Sequence, residues 1–186
     1  MAVDWSVRSV TRTLLPVLLV LSALELVGGL TLGSFERTLT RYPSLLVLVP
    51  VTIGTAGNLG SVLSARLSTA FHLGVLAFEP TDEYLLGNAV ATALLAVSVF
   101  PLVGAGAWGV TRVGGRARLG LPTVVGIAAL SGLVLAALAV AVTLLATYAA
   151  YRFEADPDSV VIPVVTNVCD VLGVLVLFGV VQVVVA

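Results

Sequence analysis

One carboxylate stands inside a long apolar run near the end of the chain. It belongs to the stretch Pro163-Val-Val-Thr166-Asn167-Val-Cys169-Asp170. Pro163, Thr166, Asn167 and Asp170 fall at i, i+3, i+4 and i+7, so a helix sets them on one face, and Gly173 continues it. The opposite face is Val, Leu and Ile. A second polar stretch lies in another apolar run, where Pro50 is followed by Gly54, Gly57, Asn58, Gly60 and Ser61. At helical spacing Gly54, Asn58 and Ser61 share a face. Carboxylate, amide oxygen, hydroxyl and backbone carbonyl are hard ligands, suited to Mg²⁺, Ca²⁺ or Mn²⁺. There is no Cys/His cluster for zinc or copper: the chain has one cysteine and one histidine. Cys169 points about 100° around the helix from Asp170 and reads as a small packing residue. His72 sits beside Phe71 in a connection and reads as an interfacial residue, because one imidazole alone makes no metal site.

The elements that must carry these residues follow from composition. Of 186 residues, 59% are hydrophobic and 10% are charged, where an ordinary soluble domain carries about 25% charged residues. Mean hydropathy is +1.16. This is the composition of an all-α integral membrane protein. A spanning helix needs roughly 20 apolar residues, and five segments qualify: 14–33, 43–65, 84–111, 121–150 and 160–186. Glu25 is the only charge in the first and Asp170 the only charge in the fifth; the other three have none. Asp4, Glu36, Glu79, Asp82, Glu83, Glu154, Asp156 and Asp158 all fall outside, as the high cost of charge in hydrocarbon demands. The third and fourth segments exceed one bilayer width, which predicts tilt or a kink near Phe100-Pro101. The first segment is too long for a signal-peptide core and Glu25 interrupts it, so it reads as a permanent helix. The connections 34–42, 66–83, 112–120 and 151–159 are short, and the chain 1–186 reads as a single membrane domain. Residues 66–78 alternate apolar with polar or small side chains and suggest an interfacial piece.

Pro50 and the glycines behind it predict an interrupted second span. Proline removes a backbone donor, and bare carbonyls at membrane depth are tolerated only within protein or along a wet cavity. Discontinuous helices of this kind form ion sites in transporters. Small residues at this spacing also let two helices approach closely, so packing is the competing reading; Asn58 adds a buried amide that must find polar partners. Asp170 is a functional candidate by its position in a span; the alternative is a protonated acid hydrogen-bonded to a neighbouring helix. Glu25 has three readings: pairing with Arg66 or an amide, which is favoured, snorkelling, or joining the pathway. The acidic connections (Glu79, Asp82, Glu83; Glu154, Asp156, Asp158) are either solvated loops or a device that concentrates cations at a pore mouth.

Other classes are excluded. One cysteine permits no intramolecular disulfide. Net charge is −1 with no basic run, which speaks against nucleic acid as a partner. No Ser/His pair, paired-Asp phosphotransferase pattern or metalloprotease motif is present, so the chain does not read as an enzyme. With an odd number of spans, Arg8, Arg12, Arg66 and Arg152 share one face, against Arg37, Arg41, Arg112, Arg116 and Arg118 on the other. The positive-inside rule then leans slightly toward an outside N-terminus.

Two long stretches carry a family resemblance. The run Pro50-Val-Thr-Ile-Gly-Thr-Ala-Gly-Asn-Leu-Gly-Ser-Val-Leu-Ser-Ala-Arg-Leu-Ser-Thr-Ala-Phe-His-Leu-Gly74 resembles the second-helix signature of the MgtE magnesium transporters, and still more that of the related solute carrier family 41. The run Asp156-Pro-Asp-Ser-Val-Val-Ile-Pro-Val-Val-Thr-Asn-Val-Cys-Asp-Val-Leu-Gly173 resembles the family's last-helix signature. The resemblance implies a five-helix membrane domain that works as a homodimer in the cell membrane, with its pore on the two-fold axis between the second and fifth helices of both copies. It implies transport of a largely hydrated Mg²⁺, with Mn²⁺ or Co²⁺ as other cargo. Asp170 matches the family's metal-holding aspartate, Thr166 lies one turn before it, Gly57 and Asn58 match the Gly-Asn pair, and Ser61 sits at a second polar ligand position. Asn167 joins this set from the polar stripe. Val62 stands where MgtE commonly has Gln, and nothing in these 186 residues resembles MgtE's acidic cytosolic domain or CBS pair, so gating by them is not expected. The resemblance places the N-terminus in the cytoplasm, against the slight arginine bias. The two other functions that fit the residues are a proton- or sodium-coupled carrier of another solute and an accessory half of a heterodimeric transporter.

Overall fold

The computed structural model describes residues 6–76, 82–153 and 157–185. Within them the chain is all-helical: α1 (Val7–Ser34), α2 (Glu36–Arg41), α3 (Pro43–His72), α4 (Glu83–Val113), α5 (Leu121–Arg152) and α6 (Pro157–Val185). Five of these are long and apolar enough to cross a membrane, over Val10–Ser34, Pro43–His72, Glu83–Val113, Leu121–Arg152 and Val160–Val185. The spans read from sequence correspond to these five.

The ends of the helices follow local chemistry. Pro43 opens α3 in its first turn, where a missing N–H costs nothing. Gly74 closes it at φ +67°, and the Val75 N–H reaches back to the Ala70 carbonyl at 3.1 Å. Asp82 caps α4: its Oδ1 accepts from the Tyr84 and Leu85 N–H groups at 2.8 and 3.2 Å. Gly115, also at φ +67°, turns the chain between α4 and α5.

Three details differ from the sequence reading. α3 is continuous through Pro50, Gly54, Gly57 and Gly60, so the second span is not interrupted. Proline at position 50 removes one backbone bond, to the Leu46 carbonyl, and the ladder resumes beyond it. In hydrocarbon, further unpaired carbonyls cost more than the roughly 1 kcal/mol per glycine that a helix interior imposes. Residues 66–72, read as an interfacial piece, continue α3, and His72 is its last residue rather than part of a connection. The first connection contains α2, whose Leu39 is buried. α4 runs as one helix through Phe100 and Pro101. Asp4, Phe78, Glu79, Glu154 and Asp156 lie outside the described residues.

α3, α4, α5 and α6 form the bundle, and α1 lies against its side, touching α6 and α2 but not α4 or α5. Lipid is as apolar as leucine, so helices associate here through close packing. Phe100 on α4 lies on Gly132 of α5, with no room there for a Cβ. One turn further along α4, a Cβ at Gly104 would come within 2.8 Å of the Ala128 Cβ. Ser44 at the start of α3 and Thr111 at the end of α4 share a hydrogen bond of 2.7 Å, which fixes those two ends at one level.

Candidate functional site

α3 and α6 run antiparallel through a seam of small residues. Ile53 meets Gly173, Gly57 meets Thr166 and Asp170, and Gly60 meets Val165 and Cys169. A Cβ at Gly60 would lie 2.8 Å from Val165 Cγ1 and 2.9 Å from Cys169 Sγ, so these glycines are where the helices touch. Cys169 is buried in that contact, as a packing residue would be. Gly57 differs in what it faces. A side chain there would collide with Oδ1 of Asp170 and approach Thr166 Cγ2 to 3.4 Å. The absent Cβ at position 57 is what makes room for the carboxylate.

Asp170 is half-buried, and its Oδ1 is enclosed with no hydrogen-bond partner among the described residues. A buried polar atom without a partner carries a desolvation penalty of about 1–3 kcal/mol, more when charged. The other side of Asp170 opens to a cleft of about 220 Å³ between α1 and α6, which Glu25, Gly28 and Gly29 line from α1 and Ile53 from α3. Glu25 is therefore not paired with Arg66. The Arg66 guanidinium donates through Nε to Asn88 Oδ1, and Tyr84 Oη donates to the Arg66 carbonyl at 3.2 Å. The sequence leaves Glu25 with several readings, the pathway among them, because the packing of α1 against α6 leaves no local periodic signal.

The remaining candidate residues divide by face. Thr166 and Asn167 are half-buried on α6. The Thr166 hydroxyl donates to the Ile162 carbonyl at 2.9 Å, and Asn167 Nδ2 donates to the Pro163 carbonyl at 2.9 Å. On α3, the Ser61 hydroxyl donates to the Asn58 carbonyl at 3.1 Å. In each case a hydrogen is committed to the side chain's own helix, and oxygen lone pairs remain. Such a surface offers acceptors and suits a cation or the waters around one. Asn58 and Gly54 lie on the exposed side of α3, one helical step from the Gly57 and Gly60 seam. The glycines thus split: Gly57 and Gly60 pack, and Gly54 lines an open face with Asn58. Asn58 and Asp170 lie on either side of that step, not against each other as a pair.

Among the described residues, no three of His, Cys, Asp and Glu gather closely enough to hold a metal. Among those residues, one copy of the chain offers oxygen ligands but no dehydrating cage of several carboxylates.

A search of curated proteins finds no match to the chain. The family model for MgtE, described as a divalent cation transporter, matches residues 49–180. That interval begins just before Pro50 and contains Gly57, Asn58, Ser61, Thr166, Asn167 and Asp170. With both polar stretches inside the match and five apolar helices to carry them, the chain is a multi-pass membrane protein that belongs to the MgtE divalent cation transporter family.

Proposed function

We propose that this chain moves hydrated Mg²⁺ through a pore formed by two copies, with α3 and α6 of each facing a two-fold axis. The whole chain, residues 1–186, acts as one membrane domain, in the cell membrane. Asp170 is the principal ion-holding residue; Thr166, Asn167, Asn58 and Ser61 contribute oxygens to the ion or its waters, and Gly57 makes room for the carboxylate.

The observation that carries this reading is the enclosed, unpartnered Oδ1 of Asp170 against Gly57. Two such groups across an axis would balance a divalent ion and repel each other without it. Mg²⁺ surrenders water reluctantly. A wall of lone pairs that binds the hydration shell lets the ion pass without full dehydration, and the dimensions of the cavity select among ions. Mn²⁺ and Co²⁺ are the expected secondary cargo.

The deciding experiment is Mg²⁺ influx into proteoliposomes carrying the purified chain, alongside its mass in detergent. Influx that disappears in Asp170→Asn, from a protein that runs as a dimer, supports the reading. Full influx through that variant, or a monomer that transports, ends it. A second reading, coupling to H⁺ or Na⁺, draws support from Glu25, a second carboxylate on the cleft that Asp170 opens to. Under that reading influx follows an imposed pH or Na⁺ gradient and slows in Glu25→Gln.

A further inference from the structure

A second cavity, of about 280 Å³, lies at the opposite end of α6 from its entry, between α2 and the last turn of that helix. Its construction begins with the six residues of α2. Leu39 is buried, and Phe35 just before the helix stacks on Phe178 of α6 with ring centroids 4.0 Å apart. This apolar side pins α2 down. Arg37 and Arg41 are one turn apart, at i and i+4, and both are exposed. They rim the cavity together with Thr38, while Val181 and Gln182 of α6 form its far wall. Tyr42 closes the edge, with the Arg41 guanidinium 5.3 Å from its ring centroid. No carboxylate lines the cavity among the described residues; Glu36, the nearest in sequence, is not part of it.

We propose that this cavity seats the phosphate of an anionic lipid headgroup. Two guanidinium groups within one turn form a fork suited to phosphate oxygens. Thr38 and Gln182 add hydrogen-bonding groups beside them. Free phosphate would meet the same donors. The apolar wall and the depth argue for the lipid. The cavity lies where the spans Pro43–His72 and Val160–Val185 begin and end, which is headgroup level. Charge agrees. The Ser44–Thr111 bond puts the α4–α5 connection at this same end, adding Arg112, Arg116 and Arg118, with Glu36 the one acidic residue in the two connections. In the sequence, the connections 66–83 and 151–159 are the acidic ones, with Glu79, Asp82, Glu83, Glu154, Asp156 and Asp158 beside Arg66 and Arg152. The basic end thus complements the phosphate of an anionic lipid in whichever leaflet it faces, and the cavity lies within that end. The inference needs only the five spans and is independent of what the bundle transports.

The test is thermal unfolding of the full chain in neutral detergent, with added phosphatidylglycerol, phosphatidylcholine of the same acyl chains, or inorganic phosphate. Phosphatidylglycerol is expected to raise Tm by roughly 5 °C, and the other two to leave it near its starting value. The Arg37→Gln/Arg41→Gln variant should lose that rise, and the Arg116→Gln/Arg118→Gln variant on the same face should keep it. Equal rises with both lipids, or an equal rise with inorganic phosphate, overturn the proposal. So does a rise that survives Arg37→Gln/Arg41→Gln, which would reduce the two arginines to partners of the α6 carbonyl end. Should that variant fail to fold, Thr38→Glu decides: it sets a negative charge in the cavity while keeping both arginines, and an unchanged lipid response there overturns the proposal equally.

Discussion

The α3–α6 seam and the α4–α5 seam are built by the same means and end in different chemistry. Each brings two helices together over glycines that have no room for a Cβ. In the α4–α5 seam the space above Gly132 is filled by the ring of Phe100, and Ala128 fills the next position. At these two positions the neighbouring side chains are apolar. In the α3–α6 seam the space above Gly57 is filled by a carboxylate with one oxygen unpartnered. Close packing explains the first completely. It leaves the second with an enclosed carboxylate oxygen, whereas the other enclosed, unpartnered side-chain atoms among the described residues, on Thr52, Ser131 and Thr143, are neutral hydroxyls.

The largest effect that separates the two seams is expected at Asp170. Asp170→Asn keeps the volume and removes the charge, so Mg²⁺ uptake should fall about tenfold or more, the effect of about 1.4 kcal/mol on a barrier, while the protein still folds. Near-normal uptake in cells that depend on the chain for Mg²⁺ would make the two seams equivalent. Next is the response to metal. Mg²⁺ at about 100 times its Kd should stabilise the purified protein by about 2.7 kcal/mol, Na⁺ at the same ionic strength should not, and Asp170→Asn should lose the difference. Thermal unfolding across Mg²⁺, Mn²⁺, Ca²⁺ and Na⁺ measures it.

The glycines sharpen the comparison at a smaller scale. Gly132→Ala forces a methyl into Phe100 and should lower stability by about 1–3 kcal/mol, with the Mg²⁺ response intact. Gly57→Ala displaces the Asp170 carboxylate instead and should weaken the Mg²⁺ response by more than its loss of stability accounts for. If the two substitutions move Tm and metal response in the same proportion, Gly57 is a packing residue and nothing more. The smallest effect is expected at Thr143, on α5, whose buried hydroxyl has no partner among the described residues. Thr143→Val should raise stability by about 1 kcal/mol, because the methyl removes the desolvation penalty of an unpaired buried hydroxyl. A loss on chemical denaturation would mean that this hydroxyl, and with it other enclosed polar atoms in the bundle, has partners to lose.

The five spans could be read from the chain because hydrocarbon sorts charge so strictly. Glu25 and Asp170 are the two acids placed inside apolar runs, and both face the cleft between α1 and α6. The polar stripe of Thr166, Asn167 and Asp170 was legible for a similar reason, since one helical face is a local property. What local pattern did not carry was the outcome of competition between distant parts. Pro50 and its glycines weaken a helix taken alone, yet α3 is unbroken, because its partners and the apolar surroundings outweigh that weakness. Arg66 is a plausible mate for Glu25 by charge, but its guanidinium donates to Asn88 of α4 instead. The separation of Gly57 from Asn58, one packed and one open, depends on which side of α3 receives α6, and a helical wheel drawn for α3 alone leaves that side unassigned.

The stacking of Phe35 on Phe178 has a mechanical corollary. Phe178 and Asp170 belong to one uninterrupted rod and lie about 12 Å apart along it. Any slide or roll of that rod which lifts the carboxylate off α3 drags the short amphipathic helix at its end by the same amount. The ring pair works as a linkage: whatever grips the rim of the protein resists displacement at its centre.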